Sequence, residues 1–333
     1  MSIIDRIDRI THLPSERLMA VQPAPRSVKI ELSGRCNYRC KFCALTVRAA
    51  QPTQDMDFEM FKRITVEMRD AGVEEVGVFF IGESFMNPEL LVDAITYLKR
   101  EVRMPYVFLT SNASMASPKH VERCMAAGLD SLKWSVNVSD EHQFEDVIGV
   151  APKMFDRARQ NIQAAWAVRN YGGYATKLYA SSIRYDGAQH EQMQRMLDEQ
   201  ILPFVDVHYW LPLYSMGSLT IEQEERLGYR PSAGNIGRYD NAVAPLPCWS
   251  LFTEGHVLSD GRLSGCCFDA TGNWIMGDLN SESFMSAWNS DRFRDLRKQH
   301  LNKNVLGTVC ENCALYSAAV QEPVVAEITR YKE

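Results

Sequence analysis

A chain of 333 residues, 46% hydrophobic and 23% charged, has ordinary globular composition and is long enough for one large domain and a smaller one. No apolar run approaches the roughly 20 residues needed to span a bilayer, and segment 1–17 lacks the apolar stretch of a secretory signal, so the expected location is cytoplasmic. A net charge of −6 without a long basic run argues against a nucleic-acid partner.

In chain order, the pattern predicts a strand over 28–32 (VKIEL), the loop SGRCNYRCKFC, and a helix over 58–71 with Phe61, Ile64 and Met68 on one face. The continuous apolar run 76–80 (VGVFF) suits a strand buried on both faces. Helices over 88–100, 120–127, 155–169 and 190–199 then alternate with strands over 106–109, 131–136, 177–183 and 205–210. Such alternation implies parallel βα units. Six units are too few for a closed eight-stranded barrel. The expected fold class is therefore α/β, a partial (β/α)6 TIM-like barrel with ligands at the C-terminal ends of its strands.

The periodicity lapses after about residue 214, where a stretch rich in Gly, Pro, Asn and Glu reads as a linker. Beyond it, Asp260-Gly261 between two short apolar runs signals a hairpin, and 283–300 has helical spacing with Phe284, Trp288, Phe293 and Leu296 on one side. The expected organisation is an N-terminal extension (1–27), a barrel (28–216), a linker (217–247) and a small hairpin-plus-helix domain (248–333).

Nine cysteines in a chain without a secretion signal are poor candidates for a disulfide framework. Cys36-x3-Cys40-x2-Cys43 places three soft thiolates within eight residues on a loop leaving the first strand. Thiolates select zinc, copper(I) or iron–sulfur clusters. A closed zinc site wants four ligands, whereas three cysteines hold three corners of a 4Fe–4S cube and leave one iron open.

This spacing, with Phe42 before the last cysteine, resembles the CxxxCxxC signature of the radical S-adenosylmethionine (SAM) superfamily. The resemblance implies a cluster that chelates SAM, its reductive cleavage to a 5′-deoxyadenosyl radical, and hydrogen abstraction from a substrate. It implies further site residues. VFFIGESFMNPEL is similar to the family's methionyl-binding motif and puts Gly82 and Glu83 at the SAM ammonium, although Ile81 and Ser84 depart from the usual Gly and Pro. Thr110 and Asn112 match the position near the ribose. GLDSL, followed by Ser135 and Asn137, resembles a SAM-contacting strand, with Asn137 where the family has Asp.

The segment from Cys248 to Cys313 resembles the auxiliary iron–sulfur extensions called SPASM and, in shortened form, twitch. Cys248, Cys266, Cys310 and Cys313 would ligate one 4Fe–4S cluster completely. A zinc ribbon satisfies the same spacing. Cys267 reads as a neighbour of the ligand Cys266, with hydrogen-atom donation to a substrate radical as the alternative, and Cys124 as a helix core residue.

The shortened extension is similar to that of 2-deoxy-scyllo-inosamine dehydrogenase-type twitch enzymes. That implies oxidation of a small polar substrate, of sugar or aminocyclitol type, with the auxiliary cluster as electron acceptor and an external flavodoxin- or ferredoxin-type donor. Peptide modification, sugar epimerisation or decarboxylation, and a non-catalytic metal-binding role are the competing readings. Only 35 residues precede Cys36, which favours the small-molecule reading over a maturase with a recognition domain. Arg184 and Asp206, on or beside late strands, are the candidates for substrate contact or proton transfer at the barrel mouth.

Overall fold

The computed structural model describes residues 3–43, 45, 54–185, 187–211, 247–267, 274–308, 310–311 and 329–330. An N-terminal helix α1 (Ile3–Thr11) precedes strand β1 (Ser27–Ile30). Five crossovers follow: α2 (Phe58–Ala71) to β2 (Glu75–Gly77), α3 (Pro88–Arg100) to β3 (Tyr106–Ser111), and α4 (Pro118–Ala126) to β4 (Ser131–Ser135). A one-turn helix α5 (Glu141–Gln143) and α6 (Lys153–Gly172) lead to β5 (Lys177–Ile183), and α7 (Gly187–Gln200) leads to β6 (Val207–Leu211). The C-terminal part has α8 (Ser250–Thr253), β7 (Glu254–Val257), β8 (Arg262–Ser264), β9 (Ile275–Asp278), α9 (Phe284–Trp288), α10 (Asp291–Leu301) and β10 (Thr329–Arg330).

Strands β1 to β6 pair in sequence order and in parallel. The whole sheet runs β10-β6-β5-β4-β3-β2-β1-β7-β8-β9, so the barrel stays open, as six βα units dictate. On β3, Val107, Leu109 and Ser111 are buried against the helices, while Tyr106, Phe108 and Thr110 alternate to the other face. That face lines a lumen. A cavity of about 120 Å³ there gathers Lys29, Glu75, Phe108, Thr110, Lys133, Tyr179, Tyr209 and Glu254 from six strands and the adjoining β7.

The helices start and stop where local chemistry requires. Asp57 accepts from the Met60 N–H at the head of α2, and Gly72 ends it at φ 99°, a left-handed value that favours glycine. Asn87 and Ser117 cap α3 and α4, each followed by Pro at the first helical position.

Two elements of the C-terminal part differ from the sequence expectation. The stretch 283–300 is two helices, because Ser290 accepts from the Phe293 N–H and starts α10 afresh, while Asn289 exchanges hydrogen bonds with the Gln22 backbone (2.7 and 2.9 Å). The hairpin strand β7 pairs in parallel with β1, Ser27 opposite Glu254, so the C-terminal hairpin extends the barrel sheet. The segment read as a linker lies, from 217 to 246, outside the described residues. Helix α1 docks Ile3 and Ile7 on Tyr179 and Tyr209 and closes the lumen from the N-terminal side. No helix among the described residues is long and apolar enough to cross a membrane.

Candidate active site

The C-terminal end of β1 feeds the cysteine loop, and the neighbouring strand ends hold that loop in place. Met56 N–H donates to Leu32 O (2.9 Å), and Arg35 makes a two-pronged contact with Asp55 (2.7 Å to each oxygen), to which Asn87 also donates. The Glu83 N–H donates to Arg35 O (2.8 Å). Farther along, the Arg39 and Lys41 N–H groups bond the carbonyls of Ile148 and Val147, and the Tyr38 ring meets Phe144 edge-on at 5.4 Å.

Within this frame Cys36, Cys40 and Cys43 sit close enough to sense one another's charge. Burial first, and the Glu83 carboxylate second, push the Cys36 thiol up to about 12; burial pushes Cys40 well above its ordinary value. Thiols ionise more readily when they ligate a cationic centre, which is what an iron–sulfur cluster provides. The donor set fits such a cluster.

Glu83 is buried, which raises its carboxyl, against the lowering effect of the Asn112 and Phe85 N–H groups and the Ser111 hydroxyl (2.8, 3.1 and 2.9 Å). The Asn112 side chain donates to Asn37 Oδ1 in the cysteine loop (3.0 Å) and accepts from Ser114. The strand-β3 end thus ties Glu83 to the loop that carries the thiols. Gly82 serves the same joint: its N–H donates to Glu31 Oε1 (3.2 Å), and a Cβ there would lie 2.0 Å from the Ser33 carbonyl oxygen. The glycine makes room for the cysteine loop.

Asn112, Ser135 and Asn137 share the wall of a cavity of about 30 Å³ with Tyr38 and Phe144. Thr110 is apart from them, in the deeper luminal cavity bounded by α1. Arg184 directly follows β5 at the mouth, exposed, its N–H bonded to Leu211 O.

Asp206 requires a correction. It precedes β6, at the end of the sheet opposite the mouth, where it takes both Nη1 contacts of Arg169 (2.7 and 2.6 Å) and the Leu178 N–H (2.7 Å). Asp130, before β4, does the same for Lys99 and the Val107 N–H. Both carboxylates cap the start of the preceding strand, so Asp206 is a structural residue.

At the C-terminal site, the Cys248 N–H donates to His300 Nδ1 (3.2 Å), the Cys266 N–H to Ser264 Oγ (3.3 Å) and the Cys310 N–H to Thr308 Oγ (3.0 Å). The fourth expected ligand, Cys313, lies outside the described residues. Cys266 hydrogen-bonds the neighbouring Cys267 thiol. Cys124 is buried within α4, where burial pushes its thiol up to about 12.

Sequence reasoning missed the luminal charges. Lys29 on β1 bonds Glu254 on β7 (2.8 Å), and Glu254 bonds His256 Nε2 (3.0 Å). Glu31, buried at the end of β1, accepts from both Gly82 and Ser259 (3.2 Å each) and joins the barrel to the hairpin turn. The available signal was a charged residue at an inward position of a buried strand, as in VKIEL and SLKWS.

Family models identify a radical SAM superfamily domain over residues 30–169 and an iron–sulfur cluster-binding SPASM domain over 248–314. The GTP 3′,8-cyclase of Synechococcus sp. (strain CC9902) is 22% identical over 324 residues, covering 83% of this chain and 92% of that protein. The fold is also that of BtrN in complex with AdoMet and 2-DOIA (TM-score 0.56, 14% identity, 91% of this chain and 98% of that one). Streptococcus suis SuiB bound to its precursor peptide SuiA matches with TM-score 0.61 and 16% identity over 83% of this chain and 67% of that one. The two domains imply iron–sulfur clusters and SAM binding. With its cysteine loop seated on the strand ends and a C-terminal hairpin carrying further cysteines, the chain belongs to the radical SAM superfamily and bears a SPASM-type iron–sulfur domain.

Proposed function

We propose that this enzyme oxidises a small polar substrate of sugar or aminocyclitol type, with a C-terminal auxiliary cluster as electron acceptor. The interlock of the cysteine loop with Glu83 and Asn112 at the mouth of an open barrel carries the reading. Cys36, Cys40 and Cys43 would hold one 4Fe–4S cluster, and Cys248, Cys266, Cys310 and Cys313 the other. When bound, the first would supply the electron that cleaves SAM, and the second would accept the electron that the substrate radical gives up as it loses a proton to solvent.

The chain's own residues bind and orient. Gly82, Glu83, Asn112, Ser135 and Asn137 would form the SAM site, Glu83 being fixed by Ser111 and Asn112, while Thr110 faces the deeper luminal cavity. Arg184 at the mouth would contact substrate. Electrons would come from a flavodoxin- or ferredoxin-type donor. The small-molecule reading is supported by the match to BtrN, crystallised with 2-DOIA, which takes in 98% of that chain. A second reading, peptide modification, is supported by the likeness to SuiB with its precursor peptide, although the match leaves a third of SuiB uncovered.

Iron and sulfide per chain after anaerobic reconstitution, alongside reductive SAM cleavage, test the proposal. About 8 irons in the wild type and about 4 in Cys36→Ala/Cys40→Ala/Cys43→Ala are expected, with cleavage lost only in the variant. About 4 irons plus zinc in the wild type would end the auxiliary-cluster argument and the oxidation built on it.

A further inference from the structure

His256 is fully buried on β7, and its two ring nitrogens have unlike surroundings. Nε2 lies 3.0 Å from Glu254 Oε2, and Glu254 is in turn 2.8 Å from the Lys29 ammonium. Burial alone would raise the Glu254 carboxyl, but Lys29 and His256 outweigh it and hold the group below the usual carboxylate range. An ionised carboxylate only accepts hydrogen bonds, so Nε2 carries a proton. The other nitrogen, Nδ1, is enclosed and has no hydrogen-bond partner among the described residues. Buried polar atoms are usually paired, and an unpaired one calls for an explanation, a group bound beside it being one.

What lies near it is the turn bearing the auxiliary cysteines. His256 sits directly across the antiparallel ladder from Ser264, an arrangement that brings side chains within about 5 Å. The Ser264 hydroxyl closes that turn by bonding both the N–H and the carbonyl of Cys266 (3.3 and 3.2 Å). Cys267, besides its hydrogen bond from Cys266, feels the charges of His256, Lys29 and Glu254. The Phe80 ring lies against the imidazole, centroids 5.1 Å apart.

We propose that His256, with a proton on each ring nitrogen so that both donate, gives a hydrogen bond from Nδ1 to the sulfur shell that the auxiliary cluster builds on Cys266, and thereby raises the potential at which that cluster takes up an electron. The inference rests on the reading that this site holds a cluster. Hydrogen bonds to cluster sulfurs and nearby charge are among the protein's levers on cluster potential. Glu254 and Lys29 are the positioning residues: they fix the ring's orientation and its Nε2 proton. Because Lys29 and Glu254 also line the luminal cavity, the same relay connects the space beneath the mouth with the cysteine turn.

The test uses the full chain, reconstituted anaerobically, in the Cys36→Ala/Cys40→Ala/Cys43→Ala background so that only the auxiliary site carries iron. An EPR-monitored redox titration should find the midpoint potential of His256→Gln lower by about 59 mV or more, a tenfold shift in a one-electron equilibrium. Iron content should be unchanged. An unchanged potential at full iron content overturns the proposal. If His256→Gln loses its iron or its fold, the protein with native His256 decides. Pulsed EPR of the reduced cluster, after 15N-histidine labelling, should then show a nitrogen coupling and an exchangeable proton; their absence overturns the proposal. The two readings fail separately. Zinc, or no metal, at the auxiliary site sinks the cluster assignment and this inference with it. Iron present with neither a potential shift nor a nitrogen coupling sinks His256 alone.

Discussion

A methyl group added at Gly82 would place its carbon 2.0 Å from the Ser33 carbonyl oxygen and 2.8 Å from that of Arg35. Both obstacles are backbone, so relief requires the cysteine loop to move. Gly82→Ala should therefore cost about 1–3 kcal/mol, the usual range for overpacking, and should loosen the thiols of Cys36, Cys40 and Cys43. Iron content is the measurement: a variant that keeps about 4 irons per chain fewer than wild type supports the joint, and an unchanged count removes it. His208 offers a different handle. It is buried on β6 with Nε2 3.0 Å from Ser182 Oγ, and burial lowers it from 6.5 to about 4. The unfolded chain thus binds a proton that the folded chain refuses. Stability from this residue is complete above about pH 6.5 and is lost as pH falls toward 4, by about 3 kcal/mol in all. Unfolding free energies measured across that window should slope upward with pH, and His208→Gln should flatten the slope. At this scale the motif residues were legible because their spacing is local. Asp206 was misread because its partners, Arg169 and Leu178, come from other segments of the chain.

At the scale of elements, α2, α3 and β5 fall where periodicity and end signals place them, since an apolar stripe and a capping side chain act over a few residues. Helix α1 was not expected. Its segment IIDRIDRIT spaces Ile3, Ile7 and Ile10 along one face, but that face has meaning only against the barrel floor. Arg6 reinforces the plug: it bonds Glu75 at 2.9 Å and lies over the Tyr106 ring at 3.8 Å. Ile7→Ala should destabilise the chain by about 2 kcal/mol, the low end for an aliphatic truncation, because Ile7 already borders a cavity and gives up fewer contacts. Chemical denaturation would register it as an earlier unfolding midpoint; no shift would mean that α1 does not bear on the stability of the barrel. The break before α10 escaped notice for a related reason. Ser290 caps and Asn289 bonds Gln22, a residue 267 positions away.

Across the whole molecule, one sheet runs from the barrel into the cysteine hairpin, so the two iron–sulfur regions share a frame at the β1–β7 seam. Lys29–Glu254 and the Glu31 carboxylate both cross that seam, inside the protein, where each ionised group needs a partner from the other side. The sequence by itself determined the alternation of strands and helices, the open barrel of six units, the two cysteine groups and the family they point to. Each of these rests on spacing within a short stretch of chain. Tertiary structure alone decided which charges face the lumen, that Gly82 yields space to the cysteine loop, that Asp206 stands at the wrong end for catalysis, and that His256 is left with one nitrogen unpartnered beside the auxiliary cysteines. Those facts depend on contacts between residues tens to hundreds of positions apart, made only when the strands pair into one sheet and β7 joins β1.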